Sequence, residues 1–217
     1  MKLFVDSARL SDIETLMPLG IIDGVTTNPS LVAKIGGEPD VILKKICQLV
    51  KGPVSAEVVS TESDEMIQEG RRLAALDEHI VVKVPFGLGG IEACKALTGE
   101  GIRVNVTLVF SAAQALLAAK VGATYVSPFV GRLDDIASSG MELIGQIVDI
   151  YDNYEFSTEV LVASVRGPMH IVEAATMGAD ICTCPAKVIK GLFAHPLTDI
   201  GLKKFLEDWE QARTNKG

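Results

Sequence analysis

Aromatic residues make up only 5% of the 217-residue chain, and positive charge is scarce. Twenty Lys and Arg face 28 Asp and Glu, for a net charge of −8. That balance, with a pI near 4.9, excludes broad electrostatic binding to nucleic acid or an anionic membrane surface. An anionic substrate therefore requires a local basic pocket. Cysteines are few: Cys47, Cys94, Cys182 and Cys184. Cys182-Thr-Cys184 has no accompanying Cys/His pair, so zinc-site spacing is missing, and all four read as buried free thiols of a cytoplasmic protein. No apolar run approaches a membrane span, and no signal-peptide core follows Met1-Lys2-Leu3-Phe4-Val5-Asp6. A glycine-rich dinucleotide loop, a P-loop and a metal-ligand constellation are also missing, so neither cofactor nor metal is expected. With no linker, repeat or low-complexity tract, residues 1–217 read as a single domain.

What is there is a steady alternation of short β-rich runs and longer amphipathic ones. The strand candidates are Lys2–Asp6, Gly24–Thr26, Val54–Val58, Ile80–Val84, Arg103–Thr107, Tyr125–Ser127, Glu159–Ala163 and Ile181–Cys184. Helical periodicity is read over Asp40–Val50, Ser63–Leu76, Gly89–Thr98, Ala112–Lys120, Gly140–Asn153, Met169–Met177, Ala186–Phe193 and a tail over Asp199–Arg213. This rhythm predicts an α/β fold, a (β/α)8 TIM barrel. A doubly wound open sheet is the alternative, but its usual glycine-rich first turn is replaced here by Asp6-Ser7-Ala8-Arg9.

In a barrel, chemistry belongs at the C-terminal ends of the strands. Asp6 ends the first candidate strand, and Thr26-Thr27-Asn28-Pro29 ends the second. Glu57 lies in the third, Lys83 near the end of the fourth, Asn105 and Thr107 in the fifth, and Ser127 ends the sixth. Arg132 follows shortly after, and Ser164 and Arg166 follow the seventh. Each has a plainer reading. Asp6 could cap a helix starting near Ser11, and Thr26 to Asn28 could be turn chemistry. Glu57 and Lys83 could be a satisfied buried ion pair. Arg132 could pair with Asp134 or Asp135, and Arg166 could simply start a helix.

Lys83 is the most telling of them, because Ile80, Val81, Val82 and Val84 surround it with apolar residues on both faces. A desolvated amine has its pKa pushed below the free value of about 10.4, which makes a neutral nucleophile available. Such a lysine condenses with a ketone to an iminium, an electron sink for breaking or making a neighbouring C–C bond. Asp6 and Glu57 are placed to shuttle protons. Arg132, Arg166 and the Ser164 hydroxyl suit a phosphate. The residues together describe a Schiff-base enzyme acting on a sugar phosphate.

Over nearly its whole length the chain resembles the small bacterial transaldolases. The resemblance rests on Gly24-Val-Thr-Thr-Asn-Pro-Ser30, Ser55-Ala-Glu57, Val82-Lys-Val-Pro85, Asn105-Val-Thr107, the run from Gln114 to Asp135, Ala163-Ser-Val-Arg166 and His195-Pro-Leu-Thr198. It implies a class I aldolase type of barrel that moves a dihydroxyacetone unit between sugar phosphates in the non-oxidative pentose phosphate pathway. It implies no metal or coenzyme. Lys83 then matches the Schiff-base lysine, Asp6 the acid that moves the proton at the reacting C–C bond, and Glu57 with Thr107 the pair that activates a water. Thr26, Asn28, Asn105 and Ser127 match residues that hold the dihydroxyacetone hydroxyls, and Arg132, Ser164 and Arg166 match the phosphate site. The resemblance further implies pentamer rings paired into decamers, with the tail helix ending near Trp209 used in oligomer contacts. The sister group, the fructose-6-phosphate aldolases, usually carries glutamine in place of Glu57 and tyrosine in place of Phe129; both residues favour the transferase. One departure stands out: after Lys83-Val-Pro the chain runs Phe86-Gly87-Leu88-Gly89-Gly90, where small transaldolases carry a threonine and polar residues. This run is expected to add flexibility and to shift substrate preference or rate.

Overall fold

The computed structural model describes residues 1–214. Eight parallel strands close into a barrel in sequence order: β1 (Lys2–Asp6), β2 (Gly24–Thr26), β3 (Val54–Glu57), β4 (Ile80–Pro85), β5 (Val104–Val109), β6 (Tyr125–Pro128), β7 (Glu159–Val162) and β8 (Ile181–Cys184). The helices are α1 (Leu10–Leu16), α2 (Pro29–Ile35), α3 (Pro39–Val50), α4 (Ser63–Ala74), α5 (Leu88–Gly99), α6 (Ala112–Lys120), α7 (Val130–Asp134), α8 (Gly140–Asn153), α9 (Pro168–Thr176), α10 (Ala186–Gly191) and α11 (Pro196–Thr214). β8 pairs back on β1, which removes every open edge and excludes the doubly wound alternative. Each predicted strand is present, shifted by at most two residues at an end.

The predicted helices are also present, but α2 and α7 are additional. Neither carries an apolar stripe long enough to read: α2 buries no residue, and α7 has five residues. What starts α2 is local chemistry. The Asn28 side chain accepts from the Leu31 N–H at 2.9 Å, and Pro29 fills the first helical position. The turn reading of Asn28 is therefore correct. The capping reading of Asp6 is not: α1 starts after Arg9 with no side-chain cap, and Asp6 faces the barrel interior.

Strand alternation sorts the apolar residues into two separate cores. The large one fills the space between barrel and helices, with Val5, Val25, Val54, Val82, Val84, Val104, Val106 and Val126 facing outward. The small one lies inside the barrel and comprises Phe4, Val81, Tyr125, Leu161, Ala163 and Ile181, with Phe129 against it. Phe4 and Tyr125 meet edge-on at 6.3 Å between centroids. This inner cluster is an apolar floor beneath the polar strand ends. It fits only because Gly24 stands beside Phe4, where a Cβ would lie 2.6 Å from the ring and 2.7 Å from the Pro53 carbonyl oxygen.

The glycine-rich run after β4 is a loop only at Phe86 and Gly87. Leu88, Gly89 and Gly90 form the first turn of α5, and a Cβ on Gly90 would strike the Pro85 carbonyl. The glycine here serves close approach of helix to strand, rather than added flexibility.

Gly24→Ala is expected to destabilise the protein by about 1–3 kcal/mol through overpacking. Adding Phe4→Leu should recover part of that loss, because the clash is with the ring. Urea unfolding of the single and double variants checks it; strict additivity would contradict the account.

Candidate active site

The register of the barrel sets the site. Glu57 pairs with Lys83 across β3 and β4, Lys83 with Asn105 across β4 and β5, and Asp6 with Thr26 across β1 and β2. All point inward, above the apolar floor. Lys83 Nζ lies 3.0 Å from Glu57 Oε2, with side-chain exposures of 6% and 13%. Its ammonium also donates to the Thr27 carbonyl at 3.2 Å. A charge this far from water requires both a counter-ion and hydrogen-bond acceptors, and it has them.

On the opposite wall, Thr26 donates to Asp6 Oδ1 at 3.0 Å and lies 2.6 Å from the Thr183 hydroxyl. With the Thr26 proton directed at Asp6, Thr183 is the donor to Thr26. Burial pushes the Asp6 carboxyl above the usual carboxylate range, although the Lys83 charge and the Thr26 hydrogen bond both work against that shift. Asn105 is held rigidly: its Nδ2 donates to Ser55 Oγ at 3.2 Å, and its Oδ1 accepts from Ser127 Oγ at 2.8 Å.

Thr107 is different. Its Oγ1 is buried without a hydrogen-bond partner among the described residues. Beside it, β5 carries a bulge: Thr107 and Leu108 together run against the single Ser127 on β6, and Leu108 takes φ 60°. Leucine in the left-handed region is strained, as is Ser164 at φ 59° after β7. Both strained residues flank the mouth of the barrel.

Above these groups opens a cavity of about 280 Å³ whose walls include Asp6, Thr26, Asn28, Lys83, Ser127, Phe129, Arg132, Ser164, Arg166 and Thr183. Most of the residues singled out in the sequence thus reach one space, while Glu57, Asn105 and Thr107 support it from within the strands. No residue of Phe86 to Gly90 lines it. Phe129 packs edge-on against Phe110 at 5.8 Å, and the Arg132 guanidinium lies 5.0 Å above the Phe129 ring. Arg132 has no carboxylate partner among the described residues. Asp135 pairs instead with Arg166 at 2.7 Å, and Asp134 with His170 at 2.9 Å. Arg166 precedes the N-cap Gly167 of α9 by one residue, so it borders that helix rather than beginning it.

Thr183, Ser55 and the Thr27 carbonyl escaped the sequence reading. Thr183 had a signal, since it is the inward-facing position between two outward cysteines in β8. The Thr27 carbonyl had none, because a backbone acceptor leaves no mark on residue type. The four cysteines are free and buried. Burial pushes the Cys47 and Cys94 thiols up to about 12, and the Cys184 thiol is raised by its hydrogen bond with Cys182 and by burial.

A parallel barrel that gathers a buried lysine, two carboxylates and two arginines at the C-terminal ends of its strands has the build of an aldolase-type enzyme. The family described as Transaldolase/Fructose-6-phosphate aldolase matches residues 3–216. A probable transaldolase of Myxococcus xanthus is 60% identical over 212 residues, covering 97% of this chain and 95% of that one. A probable transaldolase of Aquifex aeolicus is 59% identical over 97% of both chains, and one of Syntrophobacter fumaroxidans 56% identical over the whole of both. The chain belongs to the transaldolase/fructose-6-phosphate aldolase family.

The raised Asp6 carboxyl has a consequence for stability. A folded-state value above the unfolded one means that its favourable contribution is full at low pH and is lost as pH rises through the folded value. Asp6→Asn, uncharged throughout, is expected to gain stability relative to the parent between about pH 4 and about pH 8. Denaturant unfolding at both pH values checks this, and a difference that shrinks with pH contradicts it.

Proposed function

We propose that the protein is a transaldolase. It moves a dihydroxyacetone unit from sedoheptulose 7-phosphate to glyceraldehyde 3-phosphate, giving erythrose 4-phosphate and fructose 6-phosphate, by Schiff-base chemistry on Lys83. The observation that carries this is the buried Lys83, paired with Glu57 and lining a cavity that Asp6 also lines.

The proposed sequence of steps follows from these positions. Proton transfer to Glu57 leaves the Lys83 amine neutral, and the amine attacks the ketose C2 carbonyl. The carbinolamine then loses water to give the iminium. A water held between Glu57 and the otherwise unpartnered Thr107 hydroxyl serves as proton carrier here and as nucleophile in the final hydrolysis. Asp6 takes the proton from the C4 hydroxyl as the C3–C4 bond breaks, and the electron pair passes into the iminium to form an enamine. In the second half, the enamine carbon attacks the acceptor aldehyde while Asp6 returns the proton to the new alkoxide. A carboxyl with a raised pKa suits a group that must hold and release a proton within one turnover. Asn28, Ser127, Thr26 and Thr183 line the space for the dihydroxyacetone hydroxyls, with Asn105 behind them holding Ser127. Arg132, Ser164 and Arg166 form the phosphate end. Arg132, with no competing carboxylate, is the freer of the two cations.

The alternative reading is a fructose-6-phosphate aldolase that releases free dihydroxyacetone. Phe129 argues against it, because the ring packs on Phe110 and offers no hydroxyl to the water that would release the unit. Quaternary structure belongs to the same proposal. The tail helix α11 buries no residue, and Leu202, Phe205, Leu206 and Trp209 make an exposed apolar stripe at helical spacing. We propose that this stripe packs on a second copy, within the pentamer or decamer rings that the family resemblance implies. The compartment implied by the free thiols is the cytoplasm; no helix among the described residues is long and apolar enough to cross a membrane.

Borohydride with fructose 6-phosphate should add one three-carbon unit to the protein, and Lys83→Met should abolish both the adduct and transfer. Asp6→Asn should keep the adduct and lose roughly 10²–10⁴-fold in transfer rate. Turnover of fructose 6-phosphate should require an acceptor in the parent, whereas Phe129→Tyr should release free dihydroxyacetone without one; rapid acceptor-independent release by the parent would assign it as the aldolase. Trp209→Glu combined with Phe205→Glu should give a smaller species in light scattering, and an unchanged mass would remove α11 from the interface.

A further inference from the structure

The phosphate end has a support behind it that the proposed reaction does not use. His170 lies in the first turn of α9, and its ring is mostly buried, 16% exposed. Its Nδ1 accepts from the Arg166 backbone N–H at 3.2 Å, and its Nε2 donates to Asp134 Oδ2 at 2.9 Å. Asp134 in turn accepts from the Gly140 N–H at 3.0 Å, tying the end of α7 to the start of α8. The imidazole thus stands where a glutamate or glutamine would sit in a capping box, at the third helical position, reaching back to the chain before the helix. One ring nitrogen must accept and the other must donate, which assigns one neutral tautomer and leaves no lone pair for proton transfer to a substrate.

This chain of contacts ends on Arg166, whose side chain is fixed from two more directions. Its guanidinium donates to Asp135 at 2.7 Å, and its stem crosses Gly131, where a Cβ would lie 2.7 Å from Cγ and 2.5 Å from Nε. The Gly131 N–H donates to the Ser164 carbonyl at 3.1 Å, so the strained Ser164 is clamped to α7 as well. Arg166 is more than half exposed, and an exposed arginine otherwise loses side-chain entropy when it grips an anion. Asp135 and Gly131 reduce that loss, and His170 fixes the backbone from which the side chain projects.

We infer that His170 is a positioning residue for the phosphate end of the site, and that it holds Arg166 and Ser164 in place through the backbone of the β7–α9 connection. The inference rests on the proposed phosphate role of Arg166. His170 sets affinity for the phosphate, not the rate of bond cleavage.

Erythrose 4-phosphate and erythrose as acceptors, with saturating fructose 6-phosphate, isolate the phosphate contribution. His170→Leu should raise KM for erythrose 4-phosphate ~10-fold, leave kcat within about twofold, and leave kcat/KM for erythrose unchanged. Inorganic phosphate should weaken as a competitive inhibitor by the same factor. His170→Asn, whose amide oxygen stands near the place of Nδ1, should restore most of the affinity; His170→Gln, which reaches only the Asp134 side, should not. Equal losses on both acceptors, or no change in KM, overturn the inference. Should His170→Leu fail to fold, the Asn and Gln variants carry the test alone, and equal KM values for them overturn it. Arg166→Gln separates the two levels: if it keeps the full preference for the phosphorylated acceptor, the phosphate reading fails and this inference with it.

Discussion

Lys83 is nearly dry and paired with one carboxylate, and the rest of the barrel is arranged around that fact. An isolated ammonium in this position is unaffordable, because desolvation of a single ion still costs several kcal/mol after relaxation. Glu57 and the Thr27 carbonyl offset it only because the β3–β4 register sets Glu57 directly beside Lys83. A one-residue slip of β4 would turn the lysine out into the helix layer and a valine into the interior, and a slip of β3 would turn Glu57 out. The closed barrel forbids that slip, since a shift in one strand must be carried by all eight.

The two cores divide the work of stability and chemistry. The outer layer of Val, Ile, Leu and Ala between strands and helices has no polar obligations and packs densely. The inner floor is smaller and depends on a few large side chains, with Phe4 admitted by the absence of a side chain at Gly24. Above the floor the interior is polar at nearly every inward position, and most of those groups are satisfied by one another. Thr107 is the exception, with its hydroxyl unpartnered among the described residues. The strain at Leu108 and Ser164 sits next to these groups, and the surrounding hydrogen bonds hold it there.

Much of this was legible in residue order. Short β-rich runs of three to five residues, most with a polar side chain at or near the C-terminal end, gave the barrel and the direction in which its open end faces. Lys83 stood out because nothing else in Ile80–Val84 is polar. What could not be read has identifiable causes. α2 depends on one side-chain cap and a proline rather than on a stripe, and α7 is too short for periodicity. The β5 bulge is a backbone event at Leu108, a residue type that gives no warning of a positive φ. Phe86 to Gly90 looked like a flexible loop because glycine permits two opposite things, motion and close packing, and only the position of the Pro85 carbonyl distinguishes them. The partners of Arg132 and Arg166 were also beyond reach, because Asp134 and Asp135 are equally near in sequence and the helix geometry assigns both elsewhere.

The apolar floor has a kinetic meaning. With Phe4, Tyr125, Leu161 and Ile181 filling the lower end, the cavity is reached from the C-terminal ends of the strands, where its lining residues lie. In the proposed transfer between two aldoses, the departing aldose and the arriving one would share that approach. A three-carbon unit anchored at the bottom of the cavity stays behind while they exchange, so the first product leaves before the second substrate is admitted. Double-displacement traffic is, on this view, a property of the plugged barrel before it is a property of the lysine.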